Sequence, residues 1–322
     1  MIDSGGMQEE IREWPKVEGK YLIDTGPSGR GASWWENLGR CPQRWAFDAD
    51  VRRRNAQAPA RGHTSAPALI KGTLVHIGMA HFYEAVRRQQ TGELSSGAIH
   101  DPVEAVWAKV RLEAGDDTTN PWHKHGEVAA RAVGRYVDAV CGTQQPTIVA
   151  VEKRFELVIP LLVEHVGVEY ARYSTRVDLI AADAADRVTF IDHKTTSGRV
   201  DATKKQGFTL SLQFLGLVRV GRHFYGDKFA GTMINLVALT DLSGVPVRVR
   251  PELAPWAIAQ FDSVLLDRAF LLKGLIDQDR PLYHWPKALT EQGPCTDRYG
   301  VCSHSMKCRF GPDSVSSSDG EG

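Results

Sequence analysis

The hydrophobic pattern of the chain changes its period near residue 146, and this change limits the folds that the chain can adopt. Before that point apolar residues recur at helical spacing, which predicts helices over about 68–90, 102–114 and 126–140. After it the pattern predicts strands at 147–160, 166–182 and 187–194, a helix near 210–220, strands at 229–240 and 244–250, and a helix at 255–277. We therefore expect a mixed α/β fold in which helices flank a central mixed sheet.

The same patterns divide the chain into five regions. Ser33-Trp34-Trp35-Glu36 has the Ser-x-x-Glu form of a capping box, which predicts a helix that runs through Cys41 to about Asp48. The end of the chain is rich in Ser, Asp, Glu and Gly and has too little apolar surface to fold. The predicted regions are an N-terminal extension (1–32), a mainly helical region (33–145), a core of sheet and helices (146–280), a cysteine-rich segment (281–312) and a disordered acidic tail (313–322).

Charge and apolar runs exclude several classes of protein. Lys plus Arg (39) equals Asp plus Glu (39), so any attraction to DNA must come from local patches. No apolar run approaches the roughly 20 residues that span a bilayer, and the first residues lack the features of a signal peptide. We expect a cytoplasmic protein with no membrane partner, in which five cysteines favour metal ligation over disulfides.

Two acidic residues and a lysine lie in predicted strands. The period of two in the third strand places Asp192 and Lys194 on one face. Asp178 lies in an apolar strand, where a charge is costly unless it is paired or binds a metal. Two such acids suit Mg²⁺ or Mn²⁺, and the lysine would orient a water and offset charge on a phosphate. The alternative for the common tripeptide Asp-x-Lys is an exposed salt bridge.

The order of these residues along the chain carries a resemblance. The series is Gly72-Thr73-Leu74-Val75-His76 on a helix, Glu152 opening a strand, Asp178 in a strand, Asp192-His193-Lys194 in the next strand and Gln213 on the following helix. It resembles the RecB-like branch of the PD-(D/E)XK nuclease superfamily over roughly residues 33–310. The resemblance implies a restriction-endonuclease-like core and a metal-dependent DNA nuclease.

By that resemblance each residue receives a role. His76, Asp178 and Asp192 would bind the metal together with the backbone carbonyl of His193. Lys194 would be the catalytic lysine, and Gln213 would orient the lysine or the substrate. The family's Gln-x-x-x-Tyr pattern is interrupted here, because Gln213 is followed by Phe-Leu-Gly-Leu.

Three of these residues also have simpler interpretations. Glu152 is either a further catalytic acid or a strand charge that faces Arg154. His76 could be a core histidine, and Gln213 could be a surface residue of its helix.

Cysteines form a second constellation. Cys295, Cys302 and Cys308 follow a C-x6-C-x5-C pattern, and Cys41 is the candidate for a fourth ligand. Four thiolates suit a [4Fe–4S] cluster or structural zinc. Spacing does not decide between the two metals, although the two-residue gaps common in structural zinc sites are absent and iron is favoured. The pattern resembles the iron–sulfur staple of AddB-like, CRISPR-associated and phage nucleases of the RecB type, with His304 as an alternative ligand. Cys141 is expected to be a small buried hydrophobe.

The expected partner is DNA. Arg199, Lys204 and Lys205 follow the catalytic strand and are candidate phosphate contacts, as is the run Arg52–Arg54, unless these are solvated loop charges. The chain has no G-x-x-x-x-G-K-[ST] motif, so unwinding would need a helicase or recombination partner. We predict an exonuclease of recombination or repair, of a type that phages also encode. The alternatives are a CRISPR spacer-acquisition nuclease and a non-catalytic, metal-stabilised DNA-binding module.

Overall fold

The computed structural model describes residues 31–46, 67–94, 101–141, 143–160, 170–197, 211–240, 246–277, 296–297 and 300–301. The chain divides into two compact units. The first comprises Met1–Thr25, Asn37–Arg61 and Leu272–Gly322, and the second comprises Gly26–Glu36 and Gly62–Leu271. The second unit contains the sheet and the helices packed against it.

Helices dominate the N-terminal region, as predicted. They are α1 (Ala32–Arg40), α2 (Pro67–Gln90), α3 (Pro102–Ala114) and α4 (Pro121–Cys141). Helix α3 begins with two local signals, because the Asp101 carboxylate accepts a hydrogen bond from the Val103 N–H and proline occupies the first turn.

The first helix differs from its prediction at both ends. It begins at Ala32, and the Gly31 carbonyl accepts hydrogen bonds from the Trp34 and Trp35 N–H groups, so Ser33 lies inside the first turn and is not the N-cap. Helix α1 ends at Arg40, and a separate helical stretch covers residues 42–46. The break at Cys41 has a physical reason: Pro42 disfavours helical geometry in the residue that precedes it.

Within the described residues, five strands form one mixed sheet in the order β1-β2-β3-β4-β5. The strands are β1 (Thr147–Pro160), β2 (Tyr170–Ala182), β3 (Val188–Thr196), β4 (Phe229–Ala238) and β5 (Val247–Val249). Strands β3 and β4 are parallel and are joined through helix α5 (Leu212–Tyr225), and the other neighbouring pairs are antiparallel. Helix α6 (Pro255–Asp277) follows the sheet. The mixed α/β prediction is therefore confirmed.

The sheet is buried between two layers. Apolar side chains of α2, α3 and α4 form one continuous core with residues of the sheet. The sheet side of that core consists of Ile148, Leu179, Ala181, Ile191, Val237 and Leu239. On the opposite side, Phe190 contacts the rings of Phe155, Tyr225 and Phe229. Covering both faces of the central strands explains why β3 reads as a nearly continuous apolar run.

Strand β1 changes the face that it presents partway along its length. Val151 packs against the helical core. Phe155 instead stacks on Phe190. Phe190 lies on the other face of β3 from its neighbour Ile191, which belongs to the helical core. Residues four apart in a regular strand share a face, so β1 must switch between them. Glu152 lies at the switch with φ of +51°. This conformation costs a residue other than glycine about 1–2 kcal/mol, so its surroundings must hold it there.

The described part of the C-terminal region is short. Strands β6 (Thr296–Asp297) and β7 (Gly300–Val301) pair antiparallel, with Thr296 opposite Val301. The predicted N-terminal extension, the acidic tail, Arg52–Arg54 and His304 lie outside the described residues. No helix among the described residues is long and apolar enough to cross a membrane.

Candidate active site

The site forms where strands β2 and β3 stop pairing. Their last paired residues are Leu179 and Ile191, and Asp178 and Asp192 follow directly. Both aspartates are buried, with 7% and 5% of their surface exposed. Because β2 no longer pairs with β3 here, the His193 backbone N–H donates to Asp178 Oδ2 at 2.8 Å. The divergence of two strands thus places two buried acids side by side.

Helix α2 contributes a histidine to the same point. His76 Nδ1 lies 3.3 Å from Asp178 Oδ2. Burial alone would raise the pKa of Asp178, but His76 and the His193 N–H hold it well below its usual range. Conversely, burial would lower the pKa of His76, and the carboxylate of Asp178 raises it above the ordinary value. Each group stabilises the charge of the other.

Glu152 on β1 completes a group of three potential ligands. The pairs Val151–Leu179 and Lys153–Val177 flank it, so Glu152 lies opposite Asp178. Burial and the nearby Asp178 raise the pKa of Glu152. One ligand atom from each of His76, Glu152 and Asp178 lies within 4.8 Å of the others. Two carboxylates and an imidazole at this spacing fit a divalent cation such as Mn²⁺ or Mg²⁺.

Asp192 is held by two other groups. Its Oδ1 accepts a hydrogen bond from Gln213 Nε2 at 2.7 Å, and its Oδ2 lies 2.8 Å from Lys194 Nζ. Burial raises the pKa of Asp192. Burial would lower the pKa of Lys194, but Asp192 raises it, so the amine is held as a cation. Gln213 therefore contacts Asp192 in this structure, and Asp192 lies outside the group of three described above.

An arginine engages Glu152 from the neighbouring strand. Arg176 Nε and Glu152 Oε2 form an ion pair across β1 and β2. From the sequence, Arg154 was the predicted facing charge for Glu152. In the structure Glu152 pairs with Arg176 instead. Both partners are about a quarter to a third exposed, so the pair lies at the edge of the site.

Sequence reasoning missed a group of polar residues behind the site. They are Tyr83 on α2, Tyr136 on α4 and Asn235 on β4. Tyr83 and Asn235 contact the side chain of His193, and the Tyr136 hydroxyl contacts both of them. Burial lowers the pKa of His193 to about 4, so the ring is neutral. A signal was present in the sequence, since Asn235 interrupts an apolar strand in the same way as Asp178.

Other predicted site residues fall outside the described part of the chain. These are Cys295, Cys302, Cys308, Arg199, Lys204 and Lys205. Cys41 is buried, and its Sγ accepts a hydrogen bond from the Arg44 N–H at 3.4 Å. Cys141 is exposed at the end of α4. The expectation that Cys141 is a buried hydrophobe was wrong, because the last turn of α4 turns this position outward.

Comparison with protein families gives a match that covers the site. A family model described as the PD-(D/E)XK nuclease superfamily matches residues 32–230, which is more than half of the 322 residues. The matched range includes His76, Glu152, Asp178, Asp192, Lys194 and Gln213. The mixed sheet flanked by helices agrees with a restriction-endonuclease-like fold. A search of curated protein sequences finds no significant match.

Proposed function

Because the chain belongs to the PD-(D/E)XK nuclease superfamily, whose members are nucleases, we propose that it is a metal-dependent deoxyribonuclease. The observation that carries the proposal is the convergence of His76, Glu152 and Asp178 beside the Asp192–Lys194 pair. Buried acids between two diverging strands are costly, and a bound cation offsets that cost. A core that needed only structural ion pairs would not require three acids at one point.

The roles follow from the contacts. His76, Glu152 and Asp178 would hold the cation, and Asp192 and the backbone carbonyl of His193 would be further ligands. A bound Mg²⁺ or Mn²⁺ would activate a water and offset charge on the scissile phosphate.

The remaining contacts suggest the roles of Lys194 and Gln213. Lys194, kept protonated by Asp192, would orient the attacking water and stabilise negative charge on the phosphate oxygens. Gln213 would orient the carboxylate of Asp192 through their hydrogen bond.

The finer proposal concerns substrate and pathway. We propose an exonuclease on linear DNA in recombination or repair, of the RecB-like type, that acts with a helicase or recombination partner. Arg199, Lys204 and Lys205 follow β3 in sequence, and they would contact backbone phosphates near the catalytic strand. Support for the RecB-like type is the order of the motif residues along the chain.

A metal cluster of cysteines is a separate part of the proposal. Cys41, Cys295, Cys302 and Cys308 would bind a [4Fe–4S] cluster, with structural zinc as the alternative. Two contacts support it. Cys41 is buried and its sulfur accepts a backbone hydrogen bond. Thr296 pairs with Val301, and these residues adjoin Cys295 and Cys302 in the sequence.

The experiment compares cleavage of end-labelled linear DNA and circular DNA in Mg²⁺, Mn²⁺ and EDTA. Asp192→Asn and Lys194→Met should each lower the rate by about 100-fold or more, since each removes a group that acts on the reacting phosphate. Asp262→Asn is the matched control, because Asp262 also forms an ion pair, with Arg219, on the helices α5 and α6. Full cleavage in EDTA would reject the metal-dependent mechanism, and full activity of both site variants would reject the roles of Asp192 and Lys194. DNA binding without cleavage in Mg²⁺ or Mn²⁺ would favour a non-catalytic DNA-binding module. Equal cleavage of circular DNA would reject the exonuclease.

A further inference from the structure

The side chain of His193 has no part in the catalytic roles above, although it is among the most enclosed groups of the site. Only 3% of its surface is exposed. Its Nδ1 lies 2.8 Å from Asn235 Nδ2 on the adjacent parallel strand, where the two residues pair in register. Asn235 is 1% exposed. The amide of Asn235 on the next strand thus fixes the orientation of a buried imidazole ring.

The amide is itself fixed by two tyrosines. Asn235 Nδ2 donates to the hydroxyl of Tyr136 at 2.9 Å, and this hydroxyl lies 2.6 Å from that of Tyr83. An amide nitrogen only donates, so His193 Nδ1 accepts and the ring carries its hydrogen on Nε2. Both hydrogens of the Asn235 amide are therefore used. Such a buried network is costly to break, because every partner left behind is unsatisfied.

The ring of His193 also links the network to the first of the proposed metal ligands. The ring of Tyr83 stacks on it with centroids 5.6 Å apart and an angle of 14°. The ring of His76 meets it edge-on at 6.2 Å. Tyr83 follows His76 by two helical turns on α2, so both rings project from one side of that helix. His193 is consequently packed between the Tyr83 ring and the His76 ring.

We propose that Asn235 is a positioning residue of the nuclease site, which holds the His193 imidazole against His76 and thereby fixes both His76 and the peptide that follows Asp192. This inference rests on the proposed function, since it concerns groups expected to hold the metal. The His193 peptide already donates its N–H to Asp178. A shift of the His193 ring would therefore move the hydrogen bond to Asp178 and the contact with His76 together.

A structural role alone makes a different prediction. If Asn235 only stabilised the core, its loss would lower the melting temperature and leave metal affinity unchanged in the folded protein. If it positions the site, metal affinity falls in protein that is still folded. Removal of groups that orient metal ligands typically weakens metal binding by about 10- to 100-fold.

The test measures Mn²⁺ binding by calorimetry on metal-free protein, at a temperature where every variant is folded, together with kcat and KM for linear DNA. Asn235→Leu should weaken Mn²⁺ binding about 10- to 100-fold. Its KM for DNA should stay unchanged, and saturating Mn²⁺ should restore much of kcat. Thr232→Val is the matched control, because Thr232 is a buried polar residue of the same strand that pairs with Phe190 and not with His193. The control should bind Mn²⁺ like the wild type.

Two further variants keep the proposal open to refutation. Tyr136→Phe removes one hydroxyl and keeps the ring, and it should weaken Mn²⁺ binding less than Asn235→Leu does. His193→Ala should weaken it to a similar extent, and adding Asn235→Leu to His193→Ala should weaken it little further, because both act through one contact.

Wild-type Mn²⁺ affinity in Asn235→Leu, or additive losses in the double variant, would overturn the proposal while the nuclease assignment stands. A wild-type protein that neither binds Mn²⁺ nor cuts DNA would overturn both.

Discussion

At the scale of single residues, the two buried aspartates are stabilised in different ways. Asp178 is paired with a histidine and a backbone N–H, whereas Asp192 is paired with a lysine and an amide. Asp178 therefore has a neighbour, His76, whose pKa it raises and whose charge it stabilises. Asp192 instead keeps Lys194 protonated. Asp178 thus stabilises the charge of an imidazole, and Asp192 stabilises the charge of an amine.

The first prediction concerns Glu152, whose left-handed backbone is strain expected at a functional position. Glu152→Gln should weaken Mn²⁺ binding at least about 10-fold, because the amide lacks the charge of a ligand. The free energy of unfolding should change by only about 1 kcal/mol, since the ion pair with Arg176 is partly exposed. Calorimetry with Mn²⁺ and thermal unfolding measure the two effects.

Glu156→Gln is the control for this change. Glu156 lies on the same strand and forms an equivalent ion pair with Arg172. It should alter stability to a similar extent and leave Mn²⁺ binding unchanged. If both variants bind Mn²⁺ like the wild type, Glu152 is a strand charge and not a ligand.

The sequence identified the acids but not the network behind them, and the reason is physical. Asp178 and Asp192 stand out because a charge in an apolar strand is costly wherever it lies. The role of Asn235 depends on Tyr136 and Tyr83, which come from two helices far away in sequence. Pair contacts of that kind are set by how α2 and α4 pack on the sheet, and no local pattern encodes them.

At the scale of elements, the period of apolar residues located most helices and strands, and the differences lie at their ends. Helix α4 begins at Pro121, several residues before its prediction, because the Asn120 side chain accepts a hydrogen bond from the Trp122 N–H and caps it. Strand β2 is described from Tyr170, and the predicted positions 166–169 lie outside the described residues. Capping and strand pairing fix such ends, whereas hydrophobic period records only the middle of an element.

The second prediction concerns helix α5, which carries Gln213 to the site. A methyl group at Gly216 would overlap the phenol ring of the fully buried Tyr173 on β2. Gly216→Ala should therefore lower the free energy of unfolding by about 1–3 kcal/mol. It should also slow DNA cleavage, because a shift of α5 moves Gln213 away from Asp192. Urea unfolding and the cleavage assay measure these effects.

Gly274→Ala in helix α6 is the control. An added methyl group there meets no atom within 4 Å among the described residues, so the better helix propensity of alanine should raise stability by about 0.5–1 kcal/mol. If Gly216→Ala has wild-type stability, then Tyr173 moves aside. In that case the close approach of α5 to β2 does not require glycine at this position.

At the scale of the whole molecule, the two ends of the chain differ in their relation to the family match. The family match covers residues 32–230 and so includes Cys41 but none of the C-terminal cysteines. Helix α1 breaks at Cys41, which leaves its sulfur buried and hydrogen-bonded to the Arg44 N–H. A break in a helix at a buried cysteine is consistent with a ligand position.

The last prediction is that Cys41→Ser damages the protein as much as Cys308→Ser, although these residues are far apart in sequence. A four-thiolate site that loses one ligand loses its metal, and the free energy of metal binding is then lost from folding. Cys141→Ser is the matched control, because Cys141 is exposed on α4. We expect anaerobically purified wild-type protein to be brown and to contain iron, and both ligand variants to lose the iron and melt at a lower temperature. Elemental analysis and thermal unfolding check this. If the protein contains zinc and no iron, the site is a structural zinc site and not an iron–sulfur cluster. Loss of metal in Cys141→Ser but not in Cys41→Ser would show that Cys41 is not the fourth ligand.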